Sequence, residues 1–483
     1  MMAGGLAAVI ATAANADVVI SSKATANMSC SAGVCSPTAA KAVLNANDLT
    51  NMLLGGDVKV TTGSGATNIV VKDGFSWTAT SRLTLDAIQS VKFDKPVTIA
   101  GTGAVTITTN DGGSGGDLLF GDKGKLTFWD LGSSLVINGS SYTLVGDIKA
   151  LAADIAANPA GFYALANDYD ASVDGTYSSA PISTGVAGTI EGLNHEIDRV
   201  TIDTTDYFAG LFAGINGGGV RDFQMTNASI QASGGNGGPL IGAATHATIR
   251  GCVASGKLTV TSTDSFAGGL VGNGDGSIDR SHVNATISIV DGAQAGGLVG
   301  DSQFTISDSY STGKVQAGDG ALVGGLIGNG SGSVSQSYAT GAVTAGDNSQ
   351  AGGFIGQGDA AIDNSYATGA VKAGISSNVG GFGGDVGGSV VHSYSIGLVK
   401  GRRSGGFLGV GESYQISGDY WDKETSGTRS GCRTGIACNR GAVKGLTTEE
   451  FLSGLPDGFD ASIWAEKKTI NGGFPYLKAL PPK

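Results

Sequence analysis

Charge is scarce in this chain, and the balance has the wrong sign for nucleic acid. Only 14% of the 483 residues are Asp, Glu, Lys or Arg, with 29 basic against 41 acidic and a net charge of −12. No Lys/Arg stripe is dense enough to neutralise a run of phosphates, so nucleic-acid partners are disfavoured. The four histidines, His195, His246, His282 and His392, are far apart, and none lies close to a cysteine pair. That disfavours a zinc site. No phosphate loop and no nucleophile motif is found, and no apolar run is long enough to span a bilayer. Proline is rare, with 9 residues, so proline and glycine together stay below the fraction that marks low-complexity disorder.

Glycine is what the chain has in abundance, 83 residues of it, beside Thr, Ser, Ala, Val and Ile, a mixture suited to short strands between tight turns. Eight glycine-framed pentads run down the middle: Gly210–Gly214, Gly238–Gly242, Gly268–Gly272, Gly296–Gly300, Gly324–Gly328, Gly352–Gly356, Gly380–Gly384 and Gly405–Gly409. Their closing glycines are 28, 30, 28, 28, 28, 28 and 25 residues apart. A fixed period of this length is the mark of a solenoid.

Other columns keep the same step. Ile278, Ile306, Val334, Ile362 and Val390 recur every 28 residues, as do Ser281, Ser309, Ser337, Ser365 and Ser393. Tyr310, Tyr338, Tyr366 and Tyr394 form a third column, with His282 one repeat earlier, and Val315, Val343, Val371 and Val399 a fourth. Each repeat reads as three short strands: the pentad, the Ile/Val…Ser-Tyr segment and the Gly-x-Val segment. Parallel stacking sets each residue about 4.8 Å above its equivalent. The expected fold is all-β, a right-handed parallel β-helix with ~28-residue rungs and a non-repetitive C-terminal cap. One column resists a regular strand: Arg280, Asp308, Gln336, Asn364 and His392 should be solvated yet would share a face with buried neighbours. A bend or bulge is expected between Ile306 and Tyr310.

The flanks are less periodic. Residues 1–16 end in Ala14-Asn15-Ala16 without a cationic start, which reads as a truncated signal peptide. Residues 17–146 form a β-rich region, probed by runs such as Arg82-Leu-Thr-Leu85, with no clean period. Residues 147–202 hold the one convincing helix, capped by Asp147 and stopped by Pro159, and then lead-in rungs. The repeats fill 203–409. Residues 410–483 are richer in aromatics and charge and read as a cap over the last open rung, with Thr447 and Glu450 placed for a capping box. Cys30 with Cys35, and Cys432 with Cys438, are spaced to close small disulfide rings, while Cys252 reads as a buried hydrophobe.

The pentads followed by Ser-Tyr-(Ala/Ser)-Thr-Gly-x-Val, as in Gly324–Val343 and Gly352–Val371, resemble the GLUG motif of bacterial surface and secreted proteins, including filamentous-haemagglutinin-like adhesins. Upstream, Tyr163–Asp170 and Gly188–Ile202 are similar to the lead-in of such proteins. Downstream, Tyr420–Gly427, Gly445–Thr448 and Gly473–Leu477 are similar to their closing segment. The resemblance implies a secreted or outer-membrane-associated adhesin, without catalysis or cofactor. Its partners would be a host-cell or extracellular glycan or protein receptor and an outer-membrane export partner. The alternatives are a self-associating structural exoprotein and a polysaccharide-active enzyme.

An enzyme would need carboxylates converging on one face. Asp275, Asp301, Asp319, Asp347 and Asp359 read instead as scattered over turns at different repeat positions. Gly112–Phe120 matches one copy of a calcium-binding nonapeptide, but that chemistry needs stacked copies, so an ordinary turn is expected. The tyrosine column reads as scaffold more readily than as a sugar-stacking ladder. Ligand contacts are expected in the variable loops Asp319–Ala321, Asp347–Gln350 and Ile375–Asn378.

Overall fold

The computed structural model describes residues 17–482. It is all-β, with parallel coils about 28 residues apart and about 15 turns among the described residues. The coils fall into two compact units. One comprises the residues to Val145 with Phe162–Asn167 and Leu193–His195; the other comprises Gly146–Gly161, Asp168–Gly192 and the chain from Glu196.

In the first unit the strands are parallel but the step is uneven. Ile69 pairs with Val91 and Leu83 with Val105, a step of 22, whereas Val91 pairs with Leu118, a step of 27, and Val105 with Leu135, a step of 30. That variation explains why no period is visible in the sequence there. The interior is closed by Val18, Ile69, Leu85, Phe93, Ile107 and Phe128, all fully buried. Helix α1 (Ala46–Gly55) was not expected. Asn45 Oδ1 accepts from the Asn47 and Asp48 amides, and Leu49 and Leu53 are buried. Asn cannot continue a strand comfortably but caps a helix well, and that local chemistry wins over the β-rich surroundings. The Cys30 and Cys35 sulfurs are at bonding distance across an antiparallel hairpin, with Cα atoms 4.1 Å apart.

In the second unit, helix α2 (Ile148–Ala157) forms as the sequence indicates, with Asp147 accepting from the Ala150 amide at 2.7 Å and Ile148, Leu151 and Ile155 buried. Three parallel sheets then build the coil. The first has eight strands from Phe208–Ala209 to Arg403–Gly405, and the third has seventeen from Tyr169–Asp170 to Val443–Leu446. The second runs between them, with Ile327–Gly330 and Ser333–Ser335 as one coil's share.

The pentad is a corner rather than a strand. Gly324 ends one strand and Ile327 begins the next. None of the pentad glycines from Gly268 onward is at positive φ. They are required by space: a Cβ on Gly324 would fall on the Ile327 carbonyl oxygen, and one on Gly325 on the Gly353 carbonyl of the next coil.

The expected bend forms the second corner. Asp222, Arg280, Asp308, Gln336, Asn364 and His392 all sit at φ between 45° and 52°. Each is the left-handed residue that turns the chain from the second sheet to the third, so its side chain escapes the core. Immediately after it comes the buried serine column. The amides of Ser281, Ser309, Ser337 and Ser365 donate to the Oγ atoms of Ser309, Ser337, Ser365 and Ser393 at 3.1–3.3 Å. Each Oγ of Ser309, Ser337, Ser365 and Ser393 donates back to the carbonyl two residues earlier. The column ends on Asp419, whose Oδ1 accepts from the Ser393 amide at 2.8 Å.

Stacking does not stop at Gly409. Leu408 pairs with Cys432, Tyr394 with Tyr420 and Asp419 with Val443, all in parallel. Helix α3 (Ile436–Asn439) packs beside Leu408–Gly411 and Cys432–Thr434, and the Cys432 and Cys438 sulfurs are at bonding distance with Cα atoms 5.0 Å apart. The final segment begins with helix α4 (Thr448–Phe451), where the capping box of Thr447 and Glu450 forms. It turns back along the outside of the third sheet.

Candidate functional site

The third sheet alternates as a strand must. Ala339 and Ala367 point into the coil, where their methyl groups lie against the Gly325 and Gly353 backbones. Tyr338 and Tyr366 point out. The outward rings form one column: His282, Tyr310, Tyr338, Tyr366 and Tyr394 have successive centroids 4.8, 4.6, 4.8 and 5.1 Å apart and interplanar angles of 5–13°. Separations equal to the strand spacing, with parallel rings, mean that the faces stack along the coil.

The tyrosines are buried, as a scaffold reading requires, but by the C-terminal segment and not by the coil's own interior. Tyr338, Tyr366, Tyr394 and Tyr420 share an apolar cluster with Phe451, Phe459, Trp464 and Leu477. Tyr394 Oη donates to the Pro475 carbonyl at 2.5 Å and accepts from Asn471 Nδ2 at 2.7 Å. Trp464 Nε1 donates to Asn364 Oδ1 at 3.1 Å. Burial pushes the Tyr338, Tyr366 and Tyr394 phenols well above their ordinary range, so they stay neutral.

The segment stops short of the column's other end. Tyr310 and His282 are half-buried and lie in a groove of about 750 Å³, with Thr469–Gly472 and Pro482 as one wall. Val253 is the next residue in the ring register, pairing with His282, and there the aromatic column ends. Beside the rings runs a second outward line, Ser255, Asn284, Thr312 and Thr340, one polar side chain per coil. Among the described residues, no Asp, Glu, Lys or Arg lines the groove.

A second concavity, about 500 Å³, opens on the second sheet. Asp301, Asn329, Gln357 and Asp385 stack there in register, and Asn329 Nδ2 donates to Asp301 Oδ1 at 3.1 Å. Burial raises both carboxyls. For Asp385 the nearby Glu412 and Asp359 add to the effect. Five acidic positions thought to be scattered are therefore partly ordered. Asp291, Asp319 and Asp347 form a column too, in which Asp291 and Asp319 each accept from the amide of the aspartate one coil on at 2.7–2.8 Å. Asp347 Oδ1 accepts from the Ile375 amide at 2.8 Å. The Asp319 and Asp347 loops thus also join coils through their carboxylates. Their spacing of 28 residues was the signal.

Of the other candidates, Cys252 is buried and its thiol is raised by desolvation, in keeping with a packing role. His195 Nε2 lies 3.0 Å from the Leu126 carbonyl inside the first unit. In the Gly112–Phe120 stretch, Asn110 closes a turn by accepting from the Gly116 amide at 2.7 Å. Among the described residues no three His, Cys, Asp or Glu side chains are grouped to hold a metal.

The comparisons fit this architecture. The GLUG motif matches residues 347–372, which run from the Asp347 turn through the Gly352–Gly356 corner to the Val371–Lys372 strand. A search of curated proteins finds no match. Among solved structures, a chain described as a "putative immunoglobulin A1 protease" from Bacteroides ovatus is similar, with 20% identity and a TM-score of 0.37 over 70% of this chain and 92% of that one. Similarity at that level supports no conclusion about activity. A β-solenoid carrying the GLUG motif fits a secreted or surface protein. No helix among the described residues is long and apolar enough to cross a membrane.

Proposed function

We propose that this protein is a secreted or cell-surface adhesin of the filamentous-haemagglutinin-like kind, which attaches to host or neighbouring cells, glycans or matrix and performs no catalysis. Its export would use an outer-membrane partner. The observation that carries this reading is the groove at the end of the ring column, whose described lining pairs aromatic rings with a line of neutral polar side chains. A buried scaffold column has no need of a wide opening, whereas a ligand site needs an apolar floor with a few convergent polar groups. The coil supplies a rigid platform for both. The test is a glycan array together with adhesion of labelled cells to the immobilised full chain. Specific and saturable binding supports an adhesin; its absence in both assays, with self-association in solution, supports the structural exoprotein instead.

The acidic cleft favours a second reading, a polysaccharide-active enzyme. Asp385 is raised and has Glu412 and Asp359 nearby, the kind of environment that separates the protonation of neighbouring carboxyls. Release of reducing ends from polysaccharide, abolished by Asp385→Asn, would establish it.

A further inference from the structure

We propose that the last coils dock on a lipid surface of anionic phosphate headgroups, through a corner formed by Lys372, Lys400, Arg402 and Arg403 with Ile375 and Leu398. The proposal goes beyond the adhesin reading and does not depend on it.

The corner arises where the repeat shortens. Lys372 pairs with Lys400, a step of 28 residues, but Asn378 pairs with Arg403, a step of 25. The shortening therefore falls on the turn from the third sheet to the first, where only Gly401 and Arg402 separate Lys400 from Arg403. A Cβ on Gly401 would lie 2.5 Å from Val379 Cγ2, so the turn is drawn tight against the preceding coil. The earlier turns on this edge carry Asp291, Asp319 and Asp347, whose carboxylates accept from amides of the following coil. That acidic column stops at Ile375, and the next turn is basic.

The cations face outward and lack partners within the chain. Val371 and Val399 are buried, so the alternation sends Lys372 and Lys400 to the outer face, side by side at the strand spacing of about 4.8 Å. Like charges directly opposite on neighbouring strands repel. One coil earlier the same position is the neutral Thr344. All four cations are exposed, and among the described residues none of them forms an ion pair. An external anion is what this arrangement leaves room for.

The aliphatic side chains choose the kind of anion. Leu398 stands on the same outward face two residues before Lys400, Ile375 lies three residues after Lys372, and both are exposed. A soluble polyanion such as a sulfated glycan satisfies the cations and gives the aliphatic groups nothing. A lipid surface answers both, with phosphates for the cations and the acyl boundary beneath them for Leu398 and Ile375. The net charge of −12 repels the rest of the molecule from such a surface, so the corner sets the orientation of approach.

The experiment sediments the full chain with vesicles of phosphatidylcholine alone and of phosphatidylcholine mixed with phosphatidylglycerol, with soluble heparin as competitor. The chain should follow the mixed vesicles and not the neutral ones, and salt should weaken the binding. Arg402→Gln with Arg403→Gln, and Lys372→Gln with Lys400→Gln, should each lower affinity by about fivefold per charge removed. Ile375→Ser with Leu398→Ser keeps every charge and should cost about tenfold on vesicles while leaving retention on heparin unchanged. Lys257→Gln, at an exposed cation nearer the other end of the same sheet, should bind as the parent does. The substituted side chains are exposed, so melting temperatures should match the parent's, which separates lost binding from lost folding. No binding to the mixed vesicles, or binding undiminished by the two charge variants, overturns the proposal. Complete displacement by heparin, together with parental vesicle binding by Ile375→Ser with Leu398→Ser, overturns it in favour of a soluble polyanionic glycan.

Discussion

The Ser309 amide donates to the Oγ of Ser337 on the next coil at 3.2 Å, and both residues are fully buried. The same hydroxyl donates to the Ser335 carbonyl at 2.8 Å, so one side chain joins two coils and closes its own corner. Ser337→Ala would strand the Ser309 amide in the interior. A buried donor left unmade costs about 1–3 kcal/mol. Equilibrium denaturation of Ser337→Ala should show a loss in that range, and Ser333→Ala, at an exposed hydroxyl on the same coil, should lie within about 0.5 kcal/mol of the parent. Equal losses for the two would remove the ladder from the account of stability.

The ladder's last member titrates. Asp419 replaces serine at the end of the column, Oδ1 accepts from the Ser393 amide, and Oδ2 is buried without a hydrogen-bond partner. Desolvation raises its pKa well above the ordinary aspartate value. The folded chain therefore holds the proton at a pH where the unfolded chain, with a pKa of about 3.9, has released it. The stabilising contribution is fully present below the unfolded pKa and is lost progressively as pH rises towards the folded one. Asp419→Asn keeps the acceptor and cannot ionise. Its stability relative to the parent should improve between acidic and neutral pH in parallel urea titrations; a constant difference would show that Asp419 does not titrate in this window.

The two glycine roles predict opposite signs for one substitution. Gly324→Ala puts a Cβ onto the Ile327 carbonyl, with the Phe354 carbonyl and Gly356 amide also inside contact distance. Backbone on all sides cannot yield cheaply, and overpacking of this kind costs about 1–3 kcal/mol or more. Gly55→Ala, at the end of α1, meets no atom within 4 Å and is not at positive φ. It should be neutral or stabilise by up to about 1 kcal/mol through helix propensity. Melting temperatures of the two variants test both claims.

The periodic half of the molecule was legible because its coils are equal. The 28-residue columns located the serine ladder, the interior valines and even the bend at Gln336, which a polar residue between buried neighbours betrays. Uneven steps of 22 to 30 residues hid the first unit's coils, and the Asn45 cap of α1 was masked by β-rich neighbours. The candidate site was half legible. The ring column was found, but its outward direction depends on Ala339 filling the space left by Gly325, a contact between sequence-distant coils. The cover over it depends on a C-terminal segment folding back, which periodicity does not encode.

The left-handed corner sets a further order. Gln336 has φ 45°, a region that glycine enters freely and β-branched residues avoid. Relief of that strain is offset in part by the freedom glycine gains when unfolded, so Gln336→Gly should range from neutral to about 1 kcal/mol stabilising. Gln336→Val should be strongly destabilising, and Gln336→Asn, the residue found at position 364, should fall between. An order in which valine matches glycine would mean that the corner is not held at positive φ in solution.

Trp464 is the largest fully buried side chain of the covering segment. Trp464 packs against Tyr366 and Tyr394 with centroids 6.0 and 5.9 Å away, against Phe459 at 4.6 Å, and anchors its Nε1 on Asn364. Truncating a buried tryptophan costs about 3–5 kcal/mol. The coil beneath has its own interior and its own hydrogen bonds, so that loss should fall on the segment alone. Trp464→Ala should therefore speed amide exchange across residues 448–477 while leaving the Ser309 and Ser337 amides protected. The rings of Tyr338, Tyr366 and Tyr394 would then be open to solvent, and binding of an apolar dye should rise. If exchange increases equally in the coil, the segment and the solenoid form one cooperative unit, and the ring column is an integral part of the core and not a covered surface.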